Sequence, residues 1–231
     1  AFLADPDWAY HARRGQPEKI RPCIKCNQCH VALQKAHVTR CAINPTLGEL
    51  DERFSGRADH PKHIAIIGSG PGGMEAAITA AARGHRVTLC EKESEIGGNL
   101  RIGSLPFFKE DLRRFFDYSR KRLADSAVEV VLNQQADIES LRSLAPDVVI
   151  VATGAEVARL DLPGGERALL VTEALQDTSA LEDRVIILGA GFVGCEVGWH
   201  LAEQGRHVEL IDLLPQNQLL ADEHPVNRAT L

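Results

Sequence analysis

The chain has 231 residues, of which 44% are hydrophobic and 25% charged, and a formal net charge of -6. This balance is typical of a globular protein of one or two domains, and the negative charge argues against a nucleic-acid or anionic-membrane surface. The longest apolar run extends only from Val148 to Ala152, whereas a membrane helix needs roughly 20 residues. The first residues, AFLADPDW, lack the features of a signal peptide. We therefore expect a cytoplasmic protein with no nucleic-acid and no membrane partner.

Four of the six cysteines fall within nineteen residues, namely Cys23, Cys26, Cys29 and Cys41. A reducing cytoplasm disfavours disulfides, so clustered thiols there are more often metal ligands. Three cysteines at three-residue spacing with one remote fourth favour a 4Fe-4S cluster. Structural zinc more often uses two separated Cys-x2-Cys pairs, and it stays open as the alternative. The other two, Cys90 and Cys195, lie in apolar patterns that predict inert packing.

A glycine-rich turn follows the first strongly apolar strand. The sequence KHIAII at 62–67 is followed by GSGPGG at 68–73, an alanine-rich helix that ends near Gly84, and the strand RVTLCE, which ends on Glu91. In such a unit the first glycine forms the tight turn, the second lets the backbone approach a pyrophosphate, and the third allows close helix packing. The acid at the end of the second strand is placed to bind ribose hydroxyls.

The same unit occurs a second time, 121 residues further along. The strand RVIIL at 184–188 precedes GAGFVG at 189–194, a helix runs to Gly205, and the strand HVELID ends on Asp212. In both copies the acid lies 23 residues after the first glycine, and a further glycine lies seven residues before the acid. A lone glycine triplet is weak evidence, but this repeat predicts two dinucleotide sites.

Alternating strands and helices predict an α/β fold of parallel sheets. Between the two glycine turns we expect helices around 107–123 and 138–144 and strands at 128–132 and 147–154. Gly97-Gly98 is either a simple turn or a place where backbone approaches a bound nucleotide, and we favour the second interpretation.

These motifs together resemble a known family. The two nucleotide units, with Gly97-Gly98 after the first acid and Ala152-Thr153-Gly154 closing the first unit, resemble the two-dinucleotide flavoprotein reductases. The upstream cysteines, followed by Asn44-Pro45-x-x-Gly48-Glu49, are similar to the carboxy-terminal half of the NADH:flavin oxidoreductases of the 2,4-dienoyl-CoA reductase and trimethylamine dehydrogenase type. Nearly the whole chain takes part in the resemblance.

The resemblance implies a domain order and a set of cofactors. Residues 1–22 would be the remnant of a preceding barrel and its linker, 23–60 the iron–sulfur segment, 61–160 the first segment of an FAD-binding Rossmann-like domain, and 161–231 a partial NAD(P)-binding domain. FMN would lie in a barrel domain or subunit that this chain lacks, together with the small-molecule substrate. The candidate cofactor-binding residues are Gly68, Gly70, Pro71, Gly73, Glu91, Lys92, Gly98, Asn99, Gly154, Gly189, Gly191, Gly194 and Asp212.

The expected function is that of the electron-transfer portion of an iron–sulfur flavoenzyme. This portion would pass electrons between NAD(P)H, FAD and the 4Fe-4S cluster, to or from FMN. No side chain is predicted to act as catalytic acid, base or nucleophile. No Cys-x4-Cys pair follows Gly98, so disulfide reduction is not expected. Two alternatives stay open: a non-catalytic nucleotide-binding module with structural zinc, and an electron-input subunit like the small subunit of glutamate synthase.

Overall fold

A computed structural model of the chain describes residues 2–36, 39–47 and 56–220. The helices are α1 (Trp8–Arg13), α2 (Gln28–Ala36), α3 (Pro71–Ala82), α4 (Gly98–Gly103), α5 (Glu110–Ala124), α6 (Ile138–Leu144), α7 (Val171–Gln176) and α8 (Phe192–Glu203). The strands are β1 (His63–Ile67), β2 (Arg86–Cys90), β3 (Val128–Val131), β4 (Val148–Val151), β5 (Arg184–Leu188) and β6 (His207–Ile211). Within the described ranges no helix is both long and apolar enough to cross a membrane.

The chain divides into two compact units, which are described separately. Unit 1 comprises Ala1–Ile24, Ile43–Ser104 and Asp111–Glu156, and unit 2 comprises Lys25–Ala42, Leu105–Glu110 and Val157–Leu231. The boundaries of the four predicted domains stay a prediction. Residues Gly48 and Glu49 of the predicted motif and the end of the chain from 221 lie outside the described residues.

Unit 1 is built on a four-stranded parallel sheet in the order β3-β2-β1-β4. Its strands are rich in valine and isoleucine, because inner parallel strands are buried on both faces. Helix α3 packs Met74, Ala77 and Ile78 into a core that contains Ile66 and Leu89. Burying a large side chain such as Met74 or Ile78 stabilises the fold by about 1.5–3 kcal/mol. The predicted parallel α/β fold is therefore confirmed for this unit.

Unit 2 contains a parallel pair formed by β5 and β6, covered by helix α8. The helix turns Val197 and Leu201 inward, where both are buried. A Cβ built on Gly198 would lie 3.4 Å from Leu210 Cδ1 and 3.5 Å from Ile187 Cδ1, so this glycine lets the helix lie close to the sheet. As in unit 1, apolar residues of the helix that follows the glycine turn are buried, here on a two-stranded sheet.

The 121-residue repeat of the sequence reappears in the element boundaries. Strand β5, helix α8 and strand β6 begin and end 121 residues after β1, α3 and β2, respectively. Both helices end before a glycine in the left-handed conformation, with φ of 89° at Gly84 and 86° at Gly205. Glycine adopts this conformation without the steric cost that a Cβ brings.

In unit 1 a polar network joins the two ends of the cysteine-containing stretch. Arg21 donates through Nη1 to Asn44 Oδ1 at 3.1 Å, and its backbone amide donates to Asp5 Oδ2 at 2.8 Å. Asn44 donates from Nδ2 to the Leu3 carbonyl at 3.0 Å. Asp5 and Asn44 are buried, which is tolerated because their polar atoms are hydrogen-bonded. Arg21 also lies 3.6 Å from the Glu75 carboxylate on α3.

Several elements differ from the sequence-based expectation. The helix predicted around 107–123 begins at Glu110, because the preceding Phe107 and Phe108 instead pack against Trp199 in unit 2, at centroid distances of 5.1 and 4.4 Å. Helices α1, α2, α4 and α7 were not assigned from the sequence, and all but α2 have only six residues. Such short segments carry little apolar periodicity.

Candidate nucleotide-binding site

The first glycine turn lies between β1 and α3, at the carboxyl end of the sheet. Gly68 has a φ of 98°, and a Cβ built there would lie 2.4 Å from the Ala152 carbonyl oxygen. Its amide donates to the Cys90 carbonyl at 2.8 Å. Only glycine fits this position, since both the backbone conformation and the neighbouring strand exclude a side chain.

The other two glycines of this turn have opposite surroundings. A Cβ on Gly73 would lie 1.9 Å from the Gly68 carbonyl oxygen, whereas a Cβ on Gly70 would meet nothing within 4 Å. Gly73 therefore serves packing between the helix and the turn. Gly70 is the N-cap of α3, and the space beside it is open to a ligand.

Glu91 follows β2 directly, and its carboxylate turns back onto the turn. Oε2 accepts the Ser69 amide at 2.8 Å and the Ser69 hydroxyl at 2.6 Å, while Oε1 accepts the Glu93 amide at 3.0 Å. Burial is the largest single influence and raises the pKa of Glu91. The hydrogen bonds from Ser69 and from the amides of residues 92 and 93 together outweigh it, so the pKa lies below its usual value. The carboxylate is therefore ionised at neutral pH.

A second glycine loop lies beside the first turn. A Cβ built on Gly98 would be 3.4 Å from Gly70 Cα, and the Gly97 amide donates to the Ser69 carbonyl at 3.0 Å. Asn99 donates from Nδ2 to the Ala155 carbonyl at 3.3 Å. The structure thus places Gly98 next to Gly70, and both are among the predicted cofactor-binding residues.

Three further candidate residues of the first unit are Pro71, Lys92 and Gly154. Pro71 is the first residue of α3, where its missing amide proton costs no helical hydrogen bond. Lys92 is exposed and lies 4.0 Å from the Glu93 carboxylate. Gly154 has a φ of 75° and open space at its Cβ position. Their predicted roles as cofactor-binding residues stay predictions.

The second glycine turn, between β5 and α8, reproduces the geometry of the first. Gly189 has a φ of 103°, Gly191 is the N-cap of α8 with open space at its Cβ position, and a Cβ on Gly194 would lie 1.9 Å from the Gly189 carbonyl oxygen. The Gly189 amide donates to the Ile211 carbonyl at 2.8 Å. The division of roles among the three glycines is the same in both turns.

Asp212 is the counterpart of Glu91 in the second turn. It accepts the Ala190 amide at 2.7 Å and the Leu214 amide at 2.8 Å. These two hydrogen bonds, the Leu214 amide first, hold the pKa of Asp212 below its usual value. An acceptor carboxylate thus stands at the end of the second strand in both turns.

The two turns fit the adenosine diphosphate half of a dinucleotide. The first amides of a helix have no partner within the helix, and together with the helix dipole they favour a phosphate group. Open space at Gly70 and Gly191 would let a pyrophosphate approach the backbone. Each acid keeps acceptor capacity for ribose hydroxyls, because a carboxylate has about four lone-pair sites.

The four cysteines predicted as metal ligands differ in exposure. Cys23 is exposed, and Cys26, Cys29 and Cys41 are partly exposed. In residues 2–36, 39–47 and 56–220, no three histidine, cysteine, aspartate or glutamate side chains come together as potential metal ligands. Between these cysteines, Lys25 and Asn27 have positive φ values of 53° and 57°, which are uncommon outside glycine. The described positions therefore do not fit a preassembled metal centre.

One residue of the first site was missed by sequence reasoning. Ser69 is fully buried and contacts both Glu91 and Gly97. The only signal in the sequence is its position after the first glycine, where the second turn has Ala190. Comparison of the two turns shows that they differ at this position, but it does not reveal what the Ser69 side chain contacts.

Parallel α/β units with paired glycine turns and strand-end acids define the class of Rossmann-like nucleotide-binding proteins. The chain belongs to the pyridine nucleotide-disulphide oxidoreductase family, whose family model matches residues 62–225. The family match, together with the relatives described next, relates the chain to the NADH:flavin oxidoreductases.

Two curated relatives match almost the whole chain. A cinnamate reductase of Clostridium sporogenes is 35% identical over 99% of this chain and 34% of its own length. An NADH oxidase of Thermoanaerobacter brockii is 35% identical over 98% of this chain and 36% of its own length. The chain therefore spans about a third of the length of these two relatives.

A solved structure agrees in fold. The 2-naphthoyl-CoA reductase in its complex with 2-naphthoyl-CoA is 29% identical, with a TM-score of 0.90 over 99% of this chain and 35% of that protein. These comparisons support FAD and NAD(P)H as the cofactors of the family. They do not select the dienoyl-CoA reductase type within it.

Proposed function

We propose that the chain is the electron-transfer portion of a larger flavin-dependent NAD(P)H oxidoreductase. The first glycine turn binds FAD by its adenosine diphosphate half, and the second binds the pyridine nucleotide. When bound, FAD supplies hydride acceptance from the nicotinamide and release of single electrons. The protein's own residues provide binding and orientation.

The observation that carries the assignment of FAD to the first turn is the Gly97-Gly98 loop. It brings a second glycine backbone against Gly70, whereas the positions 121 residues later are Gln218 and Leu219. The two turns share the geometry of their three glycines and their strand-end acid, so we take the extra glycine loop as the feature that distinguishes their ligands. Because neither glycine has a side chain, the two backbones can lie this close without side-chain atoms over the turn.

Each residue of the first turn has a defined task in this proposal. The amide groups at the start of α3 bind the pyrophosphate, and Gly70 keeps side-chain atoms away from it. Glu91, held ionised by hydrogen bonds, accepts from the ribose hydroxyls. In the second turn the amides at the start of α8 and Asp212 do the same for the pyridine nucleotide.

The electron acceptor and the substrate site are proposed from the resemblance alone. We propose that an FMN-bearing barrel, as a domain or a subunit, receives the electrons and binds a small-molecule substrate. We also propose that Cys23, Cys26, Cys29 and Cys41 bind a 4Fe-4S cluster, on the strength of their spacing. No step of the transfer is assigned to that cluster, because no three potential metal ligands come together in the part of the chain that the structure describes.

Disulfide reduction, which the family's description includes, is not part of this proposal. It needs two neighbouring thiols, and the only cysteines beyond Cys41 are Cys90 and Cys195. Burial is the main cause that raises the pKa of both thiols, so they are poor nucleophiles at neutral pH.

The test is the visible spectrum and the extracted nucleotide of protein purified without oxygen and incubated with FAD. We expect flavin absorption and FAD in the extract. Recovery of ADP or no nucleotide, together with stoichiometric zinc, would instead support a non-catalytic binding module. Bleaching of the flavin band on addition of NADH or NADPH then tests hydride transfer through the second turn.

A further inference from the structure

The two glycine turns differ at the residue that follows the first glycine. Ser69 and Ala190 are both buried, with 0% and 4% of their surface exposed. Both donate their backbone amide to the strand-end acid, at 2.8 and 2.7 Å. Only Ser69 adds a side-chain donor, since its hydroxyl lies 2.6 Å from Glu91 Oε2.

The Ser69 hydroxyl has a second partner on the other side. The Gly97 amide lies 3.3 Å from Ser69 Oγ and 3.0 Å from the Ser69 carbonyl oxygen. A hydroxyl has one donor proton and two acceptor lone pairs, so it donates to Glu91 and accepts from Gly97 at the same time. One buried side chain therefore touches both the acid and the glycine loop.

A second neighbour, Phe116, also restricts the position of the Gly97 backbone. The φ of Gly97 is 110°, and a Cβ built there would lie 2.4 Å from Phe116 Cε2. Phe116 thus limits the loop on one side, while Ser69 binds it on the other. The outcome is that Gly98 stays against Gly70.

We propose that Ser69 is a positioning residue of the first nucleotide site, which fixes the Glu91 carboxylate and the Gly97-Gly98 loop in one arrangement before the ligand binds. This inference rests on the proposed function in taking FAD as the ligand of the first turn. It goes beyond it in naming a side chain that no glycine or acid motif includes. The second turn, with Ala190, lacks this device.

The energetic basis is the contact between a hydroxyl and an ionised carboxylate. Hydrogen bonds to charged groups are shorter and about twice as strong as neutral ones, and burial strengthens them further. The ionisable side chains next to Glu91 in the chain, Lys92 and Glu93, are exposed and pair with each other at 4.0 Å. Ser69 is therefore the side chain that holds the carboxylate, and a site held in its binding geometry avoids the cost of ordering during binding.

The first measurement uses the 231-residue chain without ligand. Ser69→Ala converts the first turn to the residue of the second. We expect the pKa of Glu91, followed by NMR of its carboxyl carbon, to rise, and the exchange of the Gly97 amide to accelerate about threefold or more. Unchanged values of both quantities would overturn the inference, whether or not FAD binds.

The second measurement is FAD affinity. We expect the dissociation constant for FAD to rise by a factor of roughly two to ten in Ser69→Ala, because the Glu91 carboxylate and the glycine loop must then be ordered during binding. The matched control is Ala190→Ser, which changes the equivalent position of the second turn and should leave FAD affinity unchanged. Equal FAD affinity in Ser69→Ala and the parent would refute the positioning role while leaving the proposed function intact. Absence of FAD binding by the parent would contradict the proposed function instead.

A double-mutant cycle tests whether Ser69 acts through Glu91. We expect Ser69→Ala to weaken FAD binding less in a Glu91→Gln background than in the parent, because the charged acceptor is already gone. Equal effects in the two backgrounds would show that Ser69 does not act through the acid. Ser69→Cys, which keeps the approximate size but offers only a weak donor, replaces Ser69→Ala throughout if the alanine variant does not fold.

Discussion

Gly73 lies against Gly68 so closely that a Cβ on Gly73 would be 1.9 Å from the Gly68 carbonyl oxygen. The same approach joins Gly194 to Gly189 in the second turn. No rotamer change can relieve such a contact, because both partners are backbone. The helix and the turn would have to move apart.

Gly73→Ala should therefore lower the free energy of unfolding by about 2 kcal/mol or more. Its matched control is Gly72→Ala in the same helix, where a Cβ would meet nothing within 4 Å. That change should be neutral or should stabilise by about 0.5–1 kcal/mol, since alanine is the better helix former. Urea denaturation measures both, and equal midpoints for the two variants would contradict the packing role of Gly73.

Gly70→Val separates nucleotide binding from folding. The space at the Gly70 Cβ position is open, so the free energy of unfolding should change by less than about 1 kcal/mol. A branched side chain would fill the place where the pyrophosphate must approach, and FAD should be lost. Gly191→Val, the equivalent change in the second turn, should keep FAD. Unchanged flavin content in Gly70→Val, or its loss only in Gly191→Val, would show that the two turns have been assigned in the wrong order.

The second turn should prefer NADH to NADPH. Asp212, whose pKa is lowered by the amides of Leu214 and Ala190, is a negative charge at the position of the ribose hydroxyls and repels a 2′-phosphate. We expect reduction of bound flavin to be about tenfold or more faster with NADH, in line with the repulsion of like charges a few ångströms apart. Asp212→Ser should reduce this preference. Faster reduction by NADPH in the parent would refute the cofactor choice.

His200 should make the stability of the protein depend on pH. This side chain is buried in α8, and its Nδ1 accepts the Phe107 amide at 3.4 Å. Burial, with a smaller contribution from Arg206, lowers the pKa of His200. The unfolded chain therefore binds the proton more readily, so stability is full above about pH 6.5 and falls as the pH drops from there through the folded-state pKa.

The variant His200→Gln should remove this pH dependence between about pH 7 and 5, because glutamine does not titrate in that range. The measurement is the urea midpoint as a function of pH. His207→Gln changes an exposed histidine at the start of β6 and serves as the control, which should keep the parent's profile. A profile for His200→Gln that follows the parent through this range would exclude His200 as the source.

The cysteine segment is tested by metal analysis. If Cys23, Cys26, Cys29 and Cys41 bind one cluster, iron and acid-labile sulfide should each approach about four per chain in anaerobically purified protein. Cys41→Ser should lower both. Cys90→Ala and Cys195→Ala are the controls, and neither should change the content. One zinc per chain with no sulfide, lost in Cys41→Ser, would exclude the iron–sulfur proposal.

The elements that carry strong local rules could be predicted from the sequence. Two units, each made of a strand, a glycine turn and a helix, are predicted by the sequence. In both, the third glycine, the strand-end acid and the glycine after the helix recur at the same spacing. Helix α6 was predicted at its observed bounds, where Asp137 and Ser140 form a capping box. In each case the signal lies within about 25 residues of chain.

The rest depends on contacts between segments distant in the chain. The start of α5 is decided by Phe107 and Phe108 packing near Trp199, more than 90 residues away in the sequence. Helix α4 begins at Gly98, where the sequence predicts a backbone approach to a bound nucleotide and no helix. The role of Ser69 depends on Gly97, 28 residues later. Local propensity contains no information on such pairings.

The hydrogen bond between Arg21 and Asn44 has a consequence for variation of the chain. It joins Arg21 and Asn44, the residues that flank the stretch 22–43, so the two ends of this stretch are held together whatever lies between them. The entropy of closing a flexible loop grows only with the logarithm of its length, about 0.6 kcal/mol for each doubling. Insertions or deletions between Cys29 and Cys41 should therefore be tolerated by the parallel sheet of unit 1, which allows the spacing of the last cysteine to change during evolution while the nucleotide-binding framework stays the same.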